Sequence, residues 1–198
     1  MIDIKKYKSI YIVTKDNETI GTKVKKYIGK DLTGNEAKNL NLIYWINPDR
    51  GELFFAKKII LVEGQTDKTI LAFLAKKYNF YKYDYTIVDC GSKDNIPLYI
   101  KLLNNFLIPY MVVFDKDHQK DKSEDAKNKA DSLTKKIKGN INEEIGDIII
   151  LENDIEEEIN LKSDQQKKPY KALEHVSNTN FSISESFKNK LKIIFDIN

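Results

Sequence analysis

One cysteine, Cys90, is all that the 198 residues contain, and a lone thiol excludes an internal disulfide framework. No apolar run is long enough to span a bilayer, and Met1 does not open a signal peptide. These absences predict a cytoplasmic, reducing setting with no membrane partner. No glycine-rich loop closes on Lys-Ser or Lys-Thr, so the chain lacks the backbone cradle of a P-loop. A strong excess of one charge is missing too. The net charge is +3, which by itself argues for no particular partner.

What is present suffices for one core, with 41% hydrophobic residues in a chain the length of one domain plus an appendage. Charge is unevenly spread: 12 Lys or Arg face 7 Asp or Glu up to Lys58, against 21 and 23 thereafter. A mildly acidic second part is what a carboxylate-lined cation site produces, because a bound cation reverses the local field.

Two segments carry the chemistry. Ile59-Ile60-Leu61-Val62 ends in Glu63-Gly64, and Met111-Val112-Val113-Phe114 ends in Asp115-Lys116-Asp117. Each is an apolar, β-branched run stopping on carboxylate, the pattern of a buried parallel strand whose carboxyl end opens on a site. Ligands of open α/β sheets bind outside those ends, which would bring Glu63, Asp115 and Asp117 together. Carboxylates so gathered call for a hard divalent cation, Mg²⁺ or Mn²⁺.

The residues around these runs resemble a known module. Leu61-Val62-Glu63-Gly64-Gln65-Thr66-Asp67 and Asp115-Lys116-Asp117 are similar to the glutamate and DxD motifs of the Toprim domain, shared by topoisomerases, bacterial primases and several nucleases. Glu52-Leu53-Phe54-Phe55-Ala56-Lys57-Lys58 and Pro97-Leu98-Tyr99-Ile100-Lys101-Leu102-Leu103 narrow the resemblance to the overcoming-lysogenization-defect (OLD) family nucleases, over roughly Asn47 to His175. Primases, topoisomerases and ribosomal-RNA maturases favour DxDxxG. Here His118, Gln119 and Lys120 follow Asp117, with no glycine.

The implied fold is α/β: a Toprim, Rossmann-like parallel sheet with flanking helices, a short N-terminal appendage and a helical C-terminal region. Strands are expected at Ile59–Glu63, Tyr85–Asp89, Met111–Phe114 and Asp147–Leu151. Between them, helices are expected at Thr66–Tyr78, from Ser92 to Asn105, and at Ser123–Lys138. Further helices are expected near Ile155–Leu161, Pro169–Val176 and Ser184–Ile194. Met1–Val13 and Thr19–Ile28 read as short strands or helices. The resemblance divides the chain into 1–56, similar to the end of an OLD-type ATPase domain, and 57–198, the Toprim nuclease part. A separate ATPase domain or chain is the implied partner, beside DNA.

Candidate site residues follow. Gly64 permits a tight turn, Thr66 can cap the helix, and Asp67 in its first turn faces back toward Glu63. Asp67 could ligate metal or merely complement the helix dipole, worth about 0.5 kcal/mol; the family pattern usually has glutamate there. In extended backbone Asp115 and Asp117 point the same way and Lys116 away. By resemblance, Asp154 and Glu156 match second-metal ligands, although an acidic helix start alone would also explain them. Lys168, in Lys167-Lys168-Pro169-Tyr170-Lys171, matches a lysine that approaches the scissile phosphate. Lys93, after Gly91-Ser92, would offer its ammonium to a DNA phosphate at a helix N-terminus.

His118 reads as an exposed neighbour of the carboxylate pair, His175 as lying on a helix surface, Cys90 as a small buried filler, and the tyrosines from Tyr78 to Tyr85 as core and rim packing. The function these readings imply is a DNA endonuclease working with two metal ions, in phage defence or DNA processing. One ion would sit at Glu63, Asp67 and Asp115 and the other near Asp115, Asp117 and Glu156. A Toprim ribonuclease and a catalytically weak docking module for an ATPase remain the alternatives.

Overall fold

The computed structural model describes residues 4–15, 21–39, 52–117, 123–152, 154–161 and 168–197. The apolar runs become strands β3 (Lys58–Val62), β4 (Tyr85–Asp89), β5 (Tyr110–Asp115) and β6 (Gly146–Leu151), in the order β4-β3-β5-β6 and all parallel. Parallel strands need crossovers, and helices α1 (Gln65–Lys77), α2 (Ile96–Phe106) and α3 (Glu124–Asn140) supply them. After β6 come α4 (Ile155–Glu158), α5 (Lys168–Ser177) and α6 (Glu185–Ile194).

Alternation along β3 explains the layering. Ile59 and Leu61 point to one face, where Tyr99, Ile100 and Leu103 of α2 and Ile137 of α3 cover them. Ile60 and Val62 point to the other, against Ile70, Leu71 and Leu74 of α1, Val176 of α5 and Leu191 of α6. All four strand residues are fully buried, and each such side chain contributes about 1.5–3 kcal/mol relative to exposure. Strand β3 therefore reads as an unbroken apolar run.

Each predicted strand and helix lies within a few residues of its expected place. The helix expected over Ile155–Leu161 stops at Glu158, because Asn160 turns left-handed at φ 55. Pro97 is tolerated because it falls in the first turn of α2.

Before the sheet, a 3-10 turn (Ile4–Ser9) leads into an antiparallel hairpin of β1 (Tyr11–Lys15) and β2 (Thr22–Lys26). Ile28 N–H donates to the Asn105 carbonyl of α2 at 3.0 Å. Tyr27 packs edge-on against Tyr7 and Phe106, with ring centroids 4.7 and 5.5 Å away. Tyr7, Leu32, Leu53 and Phe54 thus complete the core on the α2 side. Among the described residues no helix is long and apolar enough to cross a membrane.

Candidate metal centre

Chain order places the crevice. From β3 the chain moves to β4 on one side, then crosses back to β5 on the other, so the carboxyl ends of β3 and β5 flank a topological switch point. Glu63 follows β3 directly and Asp115 closes β5. Glu63 Oε1 accepts a hydrogen bond from Asp115 N–H at 2.8 Å. The two strand ends are thereby tied together.

Gly64, in extended backbone at φ −148, is the N-cap of α1, and its N–H donates to Asp67 Oδ2 at 2.9 Å. Asp67 does face back toward Glu63. Its carboxylate is half of a capping interaction, and Thr66, expected as the cap, lies within the helix. Across the crevice Asp154 is the N-cap of α4, its Oδ1 accepting from Glu157 N–H at 2.8 Å. Glu156 is buried at 7% exposure.

The C-terminal helices hold that acidic turn in place. His175 Nε2 lies 2.8 Å from the Ile159 carbonyl oxygen, and Lys190 pairs with Glu158. His175, expected on the helix surface, is half-buried instead, with its ring edge-on to Phe181. Imidazole is useful there because it reaches a carbonyl at the frayed end of α4.

Electrostatics show which groups share the crevice. Burial, then repulsion from Glu63, Asp67, Asp117 and Asp154, pushes the Asp115 carboxyl up to about 9. Burial raises Glu63 to about 7 against the pull of the Asp115 N–H and Lys93, while Asp117 and Asp67 add to the rise. Asp67 is raised to about 6, first by burial and then by Glu156 and Asp154, against the Gly64 N–H. Negative charge is crowded here beyond what nearby protein cations offset.

Asp117 does not continue the extended backbone on which the expected alignment with Asp115 rests. Asp117 adopts a left-handed backbone at φ 62, which breaks strand alternation immediately after β5. Its Oδ2 meets Lys93 Nζ at 2.9 Å, and the same ammonium donates to the Asp115 carbonyl. Lys116 turns outward to Glu152 at 3.2 Å.

Lys93 is accordingly a correction to the sequence reading. It is only 5% exposed, and its ammonium also lies 4.9 Å from the centre of the Phe114 ring. It points into the crevice rather than toward a phosphate in solvent. Gly91 sets this up with a left-handed φ of 81, accepting the turn that Asp89 Oδ1 closes on its N–H at 2.9 Å. Asn95 Nδ2 donates to the Cys90 carbonyl at 2.9 Å and completes the turn. A lysine after a Gly-Ser turn looks like a surface group in sequence, and only the position of β5 beside β4's loop reveals its burial.

His118 and the Lys168 side chain lie outside the described residues. Lys168 itself opens α5. Cys90 is fully buried. Of the tyrosines, Tyr85 is buried and Tyr83 is 89% exposed, the core and rim pattern expected.

Hard oxygen donors in this number suit a divalent ion. One observation speaks directly to the fit: Asp115 Oδ1 is buried and has no hydrogen-bond partner, a costly state for a carboxylate oxygen unless a cation meets it. Among the described residues, however, no three carboxylate, imidazole or thiolate groups stand at ligand distance about one point. Glu63, Asp67 and Asp117 are each turned onto an N–H or ammonium donor. Closing on an ion requires these carboxylates to draw closer together.

Residues 54–117, which contain Glu63, Asp67, Asp115 and Asp117, match the family described as overcoming lysogenization defect protein-like, TOPRIM domain. Over that segment the chain is similar to an OLD-like Toprim domain. A curated relative, "OLD nuclease" of Thermus scotoductus (strain ATCC 700910 / SA-01), is 27% identical over 121 residues, 58% of this chain and 22% of that protein. The chain thus spans 22% of the length of that relative.

Two solved structures resemble the chain more distantly. The C-terminal region of the Burkholderia pseudomallei OLD protein has TM-score 0.36 and 19% identity, covering 70% of this chain and 82% of that one. The C-terminal region of the Xanthomonas campestris pv. campestris OLD protein has TM-score 0.36 and 20% identity, covering 72% and 81%.

Proposed function

We propose that the chain is a divalent-metal-dependent endonuclease domain that hydrolyses DNA phosphodiesters, the nuclease part of an OLD-type ATP-dependent system in phage defence or DNA processing. The observation that carries this reading is the crowded carboxylate crevice at the switch point, with the unpartnered Asp115 Oδ1 at its centre. The Toprim match and the relative named as a nuclease support it.

Glu63, Asp67 and Asp115 would hold one Mg²⁺ or Mn²⁺ ion, and Asp115 with Asp154, Glu156 and Asp117 a second. Bound ions of this kind acidify water and offset charge on phosphoryl oxygens. Asp115, repelled by Glu63 and Asp67 and also by Asp117 and Asp154, would be common to both ligand sets. The Asp115 N–H holds Glu63 in place, and Gly64 N–H holds Asp67. Lys168, at the start of α5, would meet the scissile phosphate and offset its developing charge. Residues 1–56 would be the end of an ATPase domain, supplied in the same protein or by a separate chain.

Supercoiled DNA incubated with Mn²⁺ or Mg²⁺ tests this. Nicking or linearisation by the wild type, absent in EDTA and in Asp115→Ala, is the expected result. A well-folded wild type that binds metal yet never cleaves would identify the docking module instead. Cleavage of RNA but not DNA would identify the ribonuclease.

A further inference from the structure

We propose that Lys93 is a positioning residue that serves as an internal cation of the carboxylate crevice, standing beside Asp117 in the place to which a second divalent ion would be drawn. The inference rests on the reading of the crevice as a metal site. Lysine is almost never fully buried unless paired, and this one is 5% exposed. Among the described residues, its ammonium meets groups at the end of β5 or just after it: the Asp115 carbonyl, Asp117 Oδ2 at 2.9 Å and the face of Phe114. Its charge is felt by Glu63 as well. A DNA-contacting lysine would extend into solvent, and a simple core ion pair would not end among several further carboxylates.

The backbone is built around this placement. Gly91, at φ 81, and Asn95 fix the turn that aims Lys93 inward. Asp117, a non-glycine residue at φ 62, is held where the ammonium meets it; such a backbone is stable only when its surroundings determine it. The crevice is therefore divided. Glu63 and Asp67 are held by backbone N–H groups, whereas Asp117 is held by an ammonium. The first ion enters without disturbing Lys93, whereas coordination by Asp117 requires the ammonium to withdraw.

Titration of Mn²⁺ into the full chain, followed by calorimetry and by thermal unfolding, separates this role from a structural one. Lys93→Met removes one positive charge, and Mn²⁺ should bind at least about tenfold more tightly than to the wild type, with a larger Mn²⁺-induced rise in Tm from a lower starting value in EDTA. Lys93→Arg, which keeps the charge, should return toward wild-type affinity. Equal or weaker Mn²⁺ binding by Lys93→Met would overturn the inference while leaving the metal site standing, as would a variant that stays unfolded even with Mn²⁺. No Mn²⁺ binding by either wild type or Lys93→Met would instead overturn the metal site itself, and the role of Lys93 with it.

Discussion

Glu63 Oε1 and the N–H of Asp115 are joined at 2.8 Å across the carboxyl ends of β3 and β5, so one carboxylate of the candidate site is positioned by the backbone of another. The link also keeps the two acidic groups close while Asp115 Oδ1 stays buried without a partner. Neutralising Asp115 should therefore have two opposite effects. Asp115→Asn is expected to raise Tm in EDTA at pH 8, because the cost of carrying an ordinarily ionised carboxyl into a buried, repelling site is removed, and to abolish Mn²⁺-dependent cleavage. A lower Tm in EDTA, measured calorimetrically, would show that the carboxylate is not under repulsion.

Peripheral and bridging ligands should differ. Asp67 is held by the Gly64 N–H at the first turn of α1, on one side of the crevice only. Asp67→Ala is expected to retain a measurable fraction of cleavage, whereas Asp115→Ala should retain none. Rates on supercoiled plasmid with denaturation curves for both variants check this ordering.

Stability without metal should fall as pH rises. Burial and mutual repulsion raise Asp67 to about 6, Glu63 to about 7 and Asp115 to about 9, whereas the unfolded chain titrates near about 4. Between about pH 4 and 9 the folded protein binds more protons than the unfolded one, so stability declines across that window. Glu36, held below its ordinary value by Lys101, acts in the opposite sense, but only as pH falls below 4.5. Divalent ions compete with these protons. The gap between Tm in Mn²⁺ and Tm in EDTA should therefore be wider at pH 8.5 than at pH 6, and an unchanged gap would contradict the electrostatic picture.

Away from the site, Gly146 at the start of β6 has no room for a side chain. A Cβ there would lie 2.2 Å from the ring of Tyr110, which is fully buried and fixed by Asn104 Oδ1 at 2.8 Å and Asn142 N–H at 3.0 Å. Gly146→Ala should cost about 1–3 kcal/mol by overpacking, read from urea unfolding.

Strands β3 to β6 and their crossovers were legible because parallel strands buried on both faces are written as apolar runs, and Glu63 and Asp115 because they end such runs. Lys93 and Asp117 were not legible in the same way. Their pairing depends on a left-handed residue after β5 and on the neighbouring turn at Gly91, which bring together positions 24 apart that carry no local signal. His175 was misread for a similar reason, since its carbonyl partner lies 16 residues away at the end of α4. The hairpin β1–β2 was ambiguous between strand and helix, and its docking through Tyr27 and Ile28 on α2 is a tertiary fact.

The most direct test of the central claim is to locate the ion. With Fe²⁺ in place of Mg²⁺, ascorbate and peroxide generate hydroxyl radicals that cut the backbone close to the bound metal. The account predicts cuts around Glu63 to Asp67, Asp115 to Asp117 and Asp154 to Glu156, suppressed by excess Mg²⁺ and lost in Asp115→Asn. Cuts confined to other segments, or none that Mg²⁺ suppresses, would contradict it.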